Sequence, residues 1–499
     1  MNKGNHDPAL RRLAGRSIMV RLAQTELDGE TAAYLRDNAI RAVCLFRRNM
    51  RDAAQLARLV ADLRDAMGPQ ALIALDQEGG AVVRATWLPA PPAAMALGAA
   101  GDAALAREVG AAVARGVRSL GFNWNFAPVL DLNNNPDNPV IAERSFGADP
   151  TRATALALAW MEGSLAEGVA CCVKHFPGHG DTHVDSHRDL PVVDKPLSAL
   201  DRLEFVPFRQ ALGAPAMMTA HIVYPALDAA HPATLSRPVL SGLLRERWGY
   251  RGIVITDGMD MQAIAGRYGA GNAAVLALEA GADMVMALGD RASQHETLDA
   301  IAAALAEGRL PAEELAARAA RLDALADRYP STQGPYATEA ADRDLMARAW
   351  LRGLTAWRSP QRPPAAAKLR LVARADVVSD GVSEAGVPAA DVAAVLGRRH
   401  DVELVTFDDE AVFDWTALPD DGRFTVLAST SRLRYGERAR RTWRPDLHLA
   451  LWNPFQVHDI DAPALMTYGF APPALDAVAA WLAGTAEATG RCPVDGMDR

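Results

Sequence analysis

The strongest constraint in this sequence is a rhythm. Through the first 330 residues, short apolar or β-branched runs alternate with alanine- and leucine-rich stretches of helical pattern. The runs are SIMVRL (17–22), AVCLF (42–46), ALIALD (71–76), NFAPVLDL (125–132), VACCVKH (169–175), AMMTAHI (216–222), GIVITD (252–257) and ADMVMAL (282–288). Between them lie helical segments such as AAQLARLVADLRDAM (53–67), DAALAREVGAAVARGVRSLG (102–121) and TRATALALAWMEGSLAEG (151–168). Strand followed by helix, repeated about eight times, predicts parallel strands with crossover helices, and eight is the number that closes a barrel. The expected fold is α/β, a TIM-like (β/α)8 barrel over residues 1–335, with a doubly wound open sheet as the alternative.

At 499 residues the chain exceeds what one core serves, so a second domain is expected. Two amphipathic helices fill 301–329, a polar break (PSTQGPYAT, 330–338) follows, and a helix runs to about Trp357. RSPQRPPAAAK (358–368) is proline-rich, so 336–368 reads as a helical and proline-rich linker. Beyond it LRLVA, VELVTF, FTVLAS, LHLALWN and APALMTYG predict five strands with short helices between them. Residues 369–499 are therefore expected to form a smaller α/β domain of sandwich type.

The net charge of −9 argues against a nucleic-acid partner. The basic cluster Arg438, Arg440, Arg441 and Arg444 sits among acidic neighbours and reads as a solvated face. No run of about eighteen apolar residues occurs, so no membrane span is expected. The first residues, MNKGNHDPALRRLAGR, lack the apolar core of an export signal, and the expected location is the cytoplasm. Cys44, Cys171, Cys172 and Cys492 show no CxxC spacing, and neighbouring cysteines rarely bridge, so buried thiols are expected.

The chemistry is written at the strand ends. The third run closes on Asp76, the fifth on Lys174–His175, the sixth passes through His221, and the seventh closes on Asp257. In a parallel barrel all these ends open on one face, where catalytic groups are built. One aspartate there is commonly the cap of the next helix; several titratable residues at several ends say more. The stretch 174–191, KHFPGHGDTHVDSHRDLP, carries His175, His179, His183 and His187 four apart. On a helix they would share a face and suit a zinc ion. Pro177, Gly178 and Gly180 make a helix costly there, which leaves a loop after a strand. Three readings stand: a loop wrapped around a metal, a solvated loop, or a catalytic loop in which Asp185 charges and orients His187 for proton transfer.

KHFPGHGDTHVDSH resembles the signature of glycoside hydrolase family 3, in its β-N-acetylglucosaminidase branch. LFRRN (45–49), DQEGGAVVR (76–84), FAPVLDLNNNP (126–136), ERSFG (143–147), MMTAHIVYP (217–225) and VITDGMDM (254–261) agree with it and follow the family's order. The tail resembles the family's second α/β domain more faintly. The resemblance implies that Asp257 is the nucleophile and that His187 is the acid/base with Asp185 as its partner. It also implies that Asp76, Arg84, Arg144, Lys174 and His175 bind sugar, with no metal and no cofactor. The implied partner is a small carbohydrate, an N-acetylglucosaminide from muropeptides or chitin-type oligosaccharides, and a homodimer through the C-terminal domain is expected.

The residue types suit those roles. A retaining glycosidase needs a carboxylate to capture the anomeric carbon and a separate acid for the leaving oxygen. Asp260 competes with Asp257 but reads as the cap of the helix beginning at MQAIAG. Arg84 is expected either to touch ligand or to pair with Asp76. A neutral imidazole repels an anionic acceptor less than a carboxylate does, so phosphorolysis stands beside hydrolysis. A metal-dependent hydrolase built on the histidine-rich loop and a non-catalytic sugar-binding barrel are the rivals from other classes. The sequence departs from the family's pattern at Ala142–Glu143, where Gly-Asp is common, at Ala81, where a basic residue is frequent, and at Gly258.

Overall fold

A computed structural model of the chain describes residues 7–184, 189–365, 367–379 and 382–494. The eight expected runs all form strands: Ile18–Arg21, Ala42–Cys44, Leu72–Leu75, Trp124–Asn125, Ala170–Phe176, Ala216–Thr219, Ile253–Gly258 and Met284–Ala287. Each is parallel to the next, and the eighth pairs with the first, so the sheet is a closed barrel rather than an open one. Alternate strand positions point inward. Met19, Leu72, Ala74, Trp124, Cys172, Met218, Ile255 and Met286 share one buried cluster with Leu322, Leu325 and Tyr329 from the helix Ala312–Arg328 and its end. Each large apolar side chain buried there contributes about 1.5–3 kcal/mol relative to exposure. The adjacent Cys171 and Cys172 obey the same alternation. Cys172 belongs to the interior cluster, whereas the Cys171 thiol lies 3.9 Å from the Met161 carbonyl of the helix Pro150–Ala166. All four cysteines are buried free thiols.

The fourth strand is shorter than the run 125–132 suggested. Pro128 has no N–H to offer the ladder. Beyond it the chain stays beside the fifth strand: the Leu130 N–H donates to the Lys174 carbonyl at 2.6 Å, and the Lys174 N–H donates to the Pro128 carbonyl at 3.3 Å. This keeps Asp131 alongside the end of the fifth strand.

Packing divides the chain into two units. One comprises Met1–Gln77, Gly110–Leu132 and Trp160–Ala337; the other comprises Glu78–Val109, Asn133–Ala159 and Thr338–Arg499. The second unit holds a six-stranded sheet in the order Thr355–Trp357, Ala464–Met466, Leu447–Ala450, Phe424–Ser429, Leu369–Arg374, Val402–Phe407. All neighbours are parallel except the first pair. The five expected strands are present. The sixth, Thr355–Trp357, lies within the stretch read as linker, directly after the helix Glu339–Gly353. One face of the sheet packs Leu369, Leu371, Val426 and Leu449 against Val392, Leu396, Val478 and Trp481; the other packs Val372 and Leu427 against Phe407, Trp415 and Trp443. Among the described residues no helix is long and apolar enough to cross a membrane.

Candidate active site

The first unit gathers ionisable groups where its strands end. Asp76 follows the third strand, and its Oδ1 accepts from Lys174 Nζ of the fifth at 2.6 Å. The backbone beside Asp76 is fixed by Asn125, whose side chain accepts from the Gln77 N–H at 2.9 Å and donates to the Gln77 carbonyl at 3.1 Å. Asp257 is the penultimate residue of the seventh strand and is partly exposed, and its Oδ1 accepts from the Gly258 N–H at 2.7 Å. These groups share one neighbourhood. Burial pushes the Cys172 thiol well above its ordinary range; Lys174 pulls it back, while Asp76 and Asp257 push it further.

His175 is held by a carboxylate that the sequence reading did not select. Asp131, whose side chain is fully buried, takes His175 Nδ1 at 2.7 Å, and its Oδ1 accepts the His179 N–H at 2.6 Å and the His175 N–H at 3.2 Å. Burial works against the Asp131 charge, but the charge and hydrogen bond of His175 outweigh it, and the carboxyl lies below the usual carboxylate range. A partial signal was available: Asp131 is the penultimate residue of the fourth run, one place short of where Asp76 and Asp257 stand in theirs. His179 is the opposite case. Burial first, then the charge of His175, hold its imidazole down to about 4, so it is neutral near pH 7.

The stem of the histidine-rich loop is tied down. Lys195 Nζ lies 2.6 Å from both Asp181 Oδ2 and Glu204 Oε1. Burial opposes its charge, yet these two bonds prevail and keep the ammonium above its ordinary value. The Tyr224 hydroxyl donates to the Gly178 carbonyl, and Val192 pairs with Val223. Asp185 and His187 lie outside the described residues. Among the described residues no group of three or more His, Cys, Asp or Glu side chains is placed to hold a metal ion.

Arg84 and Arg144 belong to the second unit, where each meets a carboxylate. Arg144 makes a two-pronged bond to Glu78 at 2.8 and 2.9 Å, and Arg84 donates to Glu384 at 2.8 Å. The departures at 142–143 have a physical reading there. Ala142 adopts φ +35°, a conformation that favours glycine. Glu143, fully buried, accepts at Oε1 from Arg432 at 3.0 Å and from the Trp452 indole at 2.8 Å. The carboxylate is thus committed to residues 289 and 309 positions further on, a distance at which no local pattern gives warning.

This geometry has relatives. The family description "Glycosyl hydrolase family 3 N terminal domain" matches residues 16–325. The chain belongs to glycosyl hydrolase family 3. Within that family it is 35% identical over 407 residues to beta-hexosaminidase A of Pseudoalteromonas piscicida, covering 75% of this chain and 65% of that protein. It therefore spans a little under two thirds of that relative's length. It is 39% identical over 278 residues to a beta-hexosaminidase of Thiobacillus denitrificans, covering 54% and 77%. Among solved structures, a glycoside hydrolase family 3 beta-N-acetylglucosaminidase from Paenibacillus sp. superimposes with a TM-score of 0.87 at 32% identity, covering 98% of this chain and 99% of that one. The barrel and the α/β sheet unit are the family's architecture.

Proposed function

We propose that the protein is a retaining exo-β-N-acetylglucosaminidase that removes terminal N-acetylglucosamine through a glycosyl-Asp257 intermediate. The observation that carries the reading is the gathering of Asp257 and the Asp76–Lys174 pair around the Cys172 thiol, at the ends of alternate strands of a family 3 barrel. Asp257 is anchored on a strand and is only partly buried, which suits a carboxylate that must reach a bound sugar. Its oxygen bonds to the anomeric carbon as the bond to the leaving oxygen breaks, and the His187 imidazolium, charged by Asp185, gives that oxygen its proton. In the second half the neutral His187 takes a proton from water, the water oxygen bonds to the anomeric carbon, and the Asp257 carboxylate is released.

Asp76, Lys174, His175, Arg84 and Arg144 are assigned to the sugar hydroxyls in this reading. The fixed first-unit pairs favour such a role, because donors and acceptors already oriented cost less to order on binding. The reading further places the enzyme in the cytoplasm acting on muropeptide fragments, with chitin oligosaccharides as the other source of the same sugar. Four buried free thiols suit a reducing compartment. It treats 1–335 as the catalytic domain, 336–368 as a linker, and 369–499 as a dimerising α/β domain. Support for the last comes from the edge strand Val402–Phe407 and the exposed Leu404, Val412 and Leu433 of that domain; light scattering at increasing concentration measures it.

The deciding experiment exposes the protein to a slow fluorinated N-acetylglucosaminyl donor and weighs it intact, then maps the adduct by peptide. One sugar on the peptide containing Asp257 is expected. An adduct elsewhere, or none with substrate turned over, removes the assignment.

A further inference from the structure

We propose that His221 is a positioning residue for the nucleophile, holding the Gly258 carbonyl so that the chain presents the Asp257 carboxylate in one orientation. The proposal rests on the reading of Asp257 given above.

His221 is fully buried just beyond the sixth strand, and Gly258 is the last residue of the seventh. The imidazole Nε2 lies 2.9 Å from the Gly258 oxygen. A carbonyl only accepts, so Nε2 carries a hydrogen and donates it. On the other side, Nδ1 lies 2.8 Å from Thr234 Oγ1, which is itself 2.8 Å from Thr219 Oγ1 and 2.9 Å from the Ala220 carbonyl. With a neutral ring, Thr234 donates to Nδ1 and Thr219 donates to Thr234. With a charged ring, Nδ1 donates to Thr234, which donates to Ala220. Both arrangements leave the Nε2–H on Gly258. The grip therefore does not depend on the ring's charge, and both ring nitrogens are committed within the protein, which suits an anchor and not a proton donor to substrate.

The ladder explains why an anchor is needed there. The seventh and eighth strands shift register between Met284, opposite Ile255, and Met286, opposite Gly258. Beyond the shift the Met259 N–H donates to the Met286 carbonyl at 3.0 Å, and the Met286 N–H is taken by the Thr256 hydroxyl at 3.0 Å. Such an irregularity re-aims a side chain. The Gly258 N–H bonds Asp257 Oδ1, and the Gly258 carbonyl bonds His221, so this one glycine is fixed on both sides. A glycine left free there would let the carboxylate wander, and about 1 Å of misplacement costs roughly a hundredfold in rate.

The test follows the rate of covalent trapping by the same fluorinated donor, with the adduct mapped in the wild type first. His221→Met fills the space without a donor; His221→Gln keeps an N–H near the position of Nε2. Trapping and kcat should fall about ten- to a hundredfold in His221→Met, while affinity for free N-acetylglucosamine, read by titration, stays within about twofold. His221→Gln should recover most of the loss. Trapping of His221→Met at the wild-type rate, or a His221→Gln as slow as His221→Met, overturns the role while leaving Asp257 in place. A wild-type adduct away from Asp257 overturns the reading and the role together. Should His221→Met not fold, Thr234→Val, which removes the hydroxyl beside Nδ1, takes its place. A severalfold loss in trapping at unchanged sugar affinity is expected there, and an unchanged rate overturns the role.

Discussion

Both sheets bury charge, but they use it differently. In the barrel, Asp76, Asp131, Lys174, His175 and Asp257 come from four different strand exits and meet at one end. In the second sheet Arg370 and His448 sit along the strands and pair with near neighbours. Arg370 is spent on Glu403 at 2.8 Å and Asp421 at 2.9 Å, and His448 on the Ser429 hydroxyl at 2.6 Å. Convergence at the strand ends leaves several oriented groups together, the arrangement that the proposed site requires. Pairwise neutralisation along a strand leaves only structure. The contrast supports the proposed site on grounds that appeal to no motif.

The sharpest way to break the contrast is Asp257→Ala. Turnover of an aryl β-N-acetylglucosaminide should fall by roughly four orders of magnitude, with the circular dichroism spectrum unchanged. A near-wild-type rate would erase the distinction between the sheets. Asp131→Ala comes next. It strips the partner from His175 and from two backbone N–H groups, and a loss of about 3–5 kcal/mol is expected in denaturant unfolding, together with lost activity. A stability change below about 1 kcal/mol would mean that the clasp is idle.

The histidines sharpen the comparison through pH. Burial holds His448 down to about 3, while an unfolded chain's histidine takes a proton near 6.5. Between those values the unfolded state binds the extra proton, so stability falls as pH drops from 6.5 toward 3, by about 1.4 kcal/mol per pH unit. His448→Gln keeps a partner for Ser429 and cannot titrate. Hydrogen exchange in the strand Leu447–Ala450 should speed up between pH 7 and 5 in the wild type and much less in the variant. Equal acid sensitivity in both would assign the effect elsewhere. The smallest effect is expected at Ala142, where φ is +35°. Ala142→Gly should stabilise by up to about 1 kcal/mol, read as a small rise in the second unit's unfolding midpoint; a loss of stability would show that the methyl group packs usefully.

The barrel was legible because its rhythm is local: each strand and each crossover helix announces itself within a short continuous stretch of sequence. What escaped was set by particular atoms. Pro128 cut short the ladder of the fourth strand, and Thr355–Trp357 is only three residues long and directly follows a helix. Asp76, Lys174, His175 and Asp257 were readable as strand ends. Asp131 was masked one residue short of the end of a run that looked like continuous strand, and His221 was readable near a strand end but without a role. The partners of Arg84 and Glu143 lie about 300 residues away, so their pairing became visible only with the chain folded.

The placement of the thiols equips the chain with its own reporters. Cys44, Cys171 and Cys172 are sealed in the barrel unit and Cys492 in the other, so an alkylating reagent stays idle until one unit breathes. Timed alkylation read peptide by peptide would clock the opening of each half separately, with no label introduced by mutation.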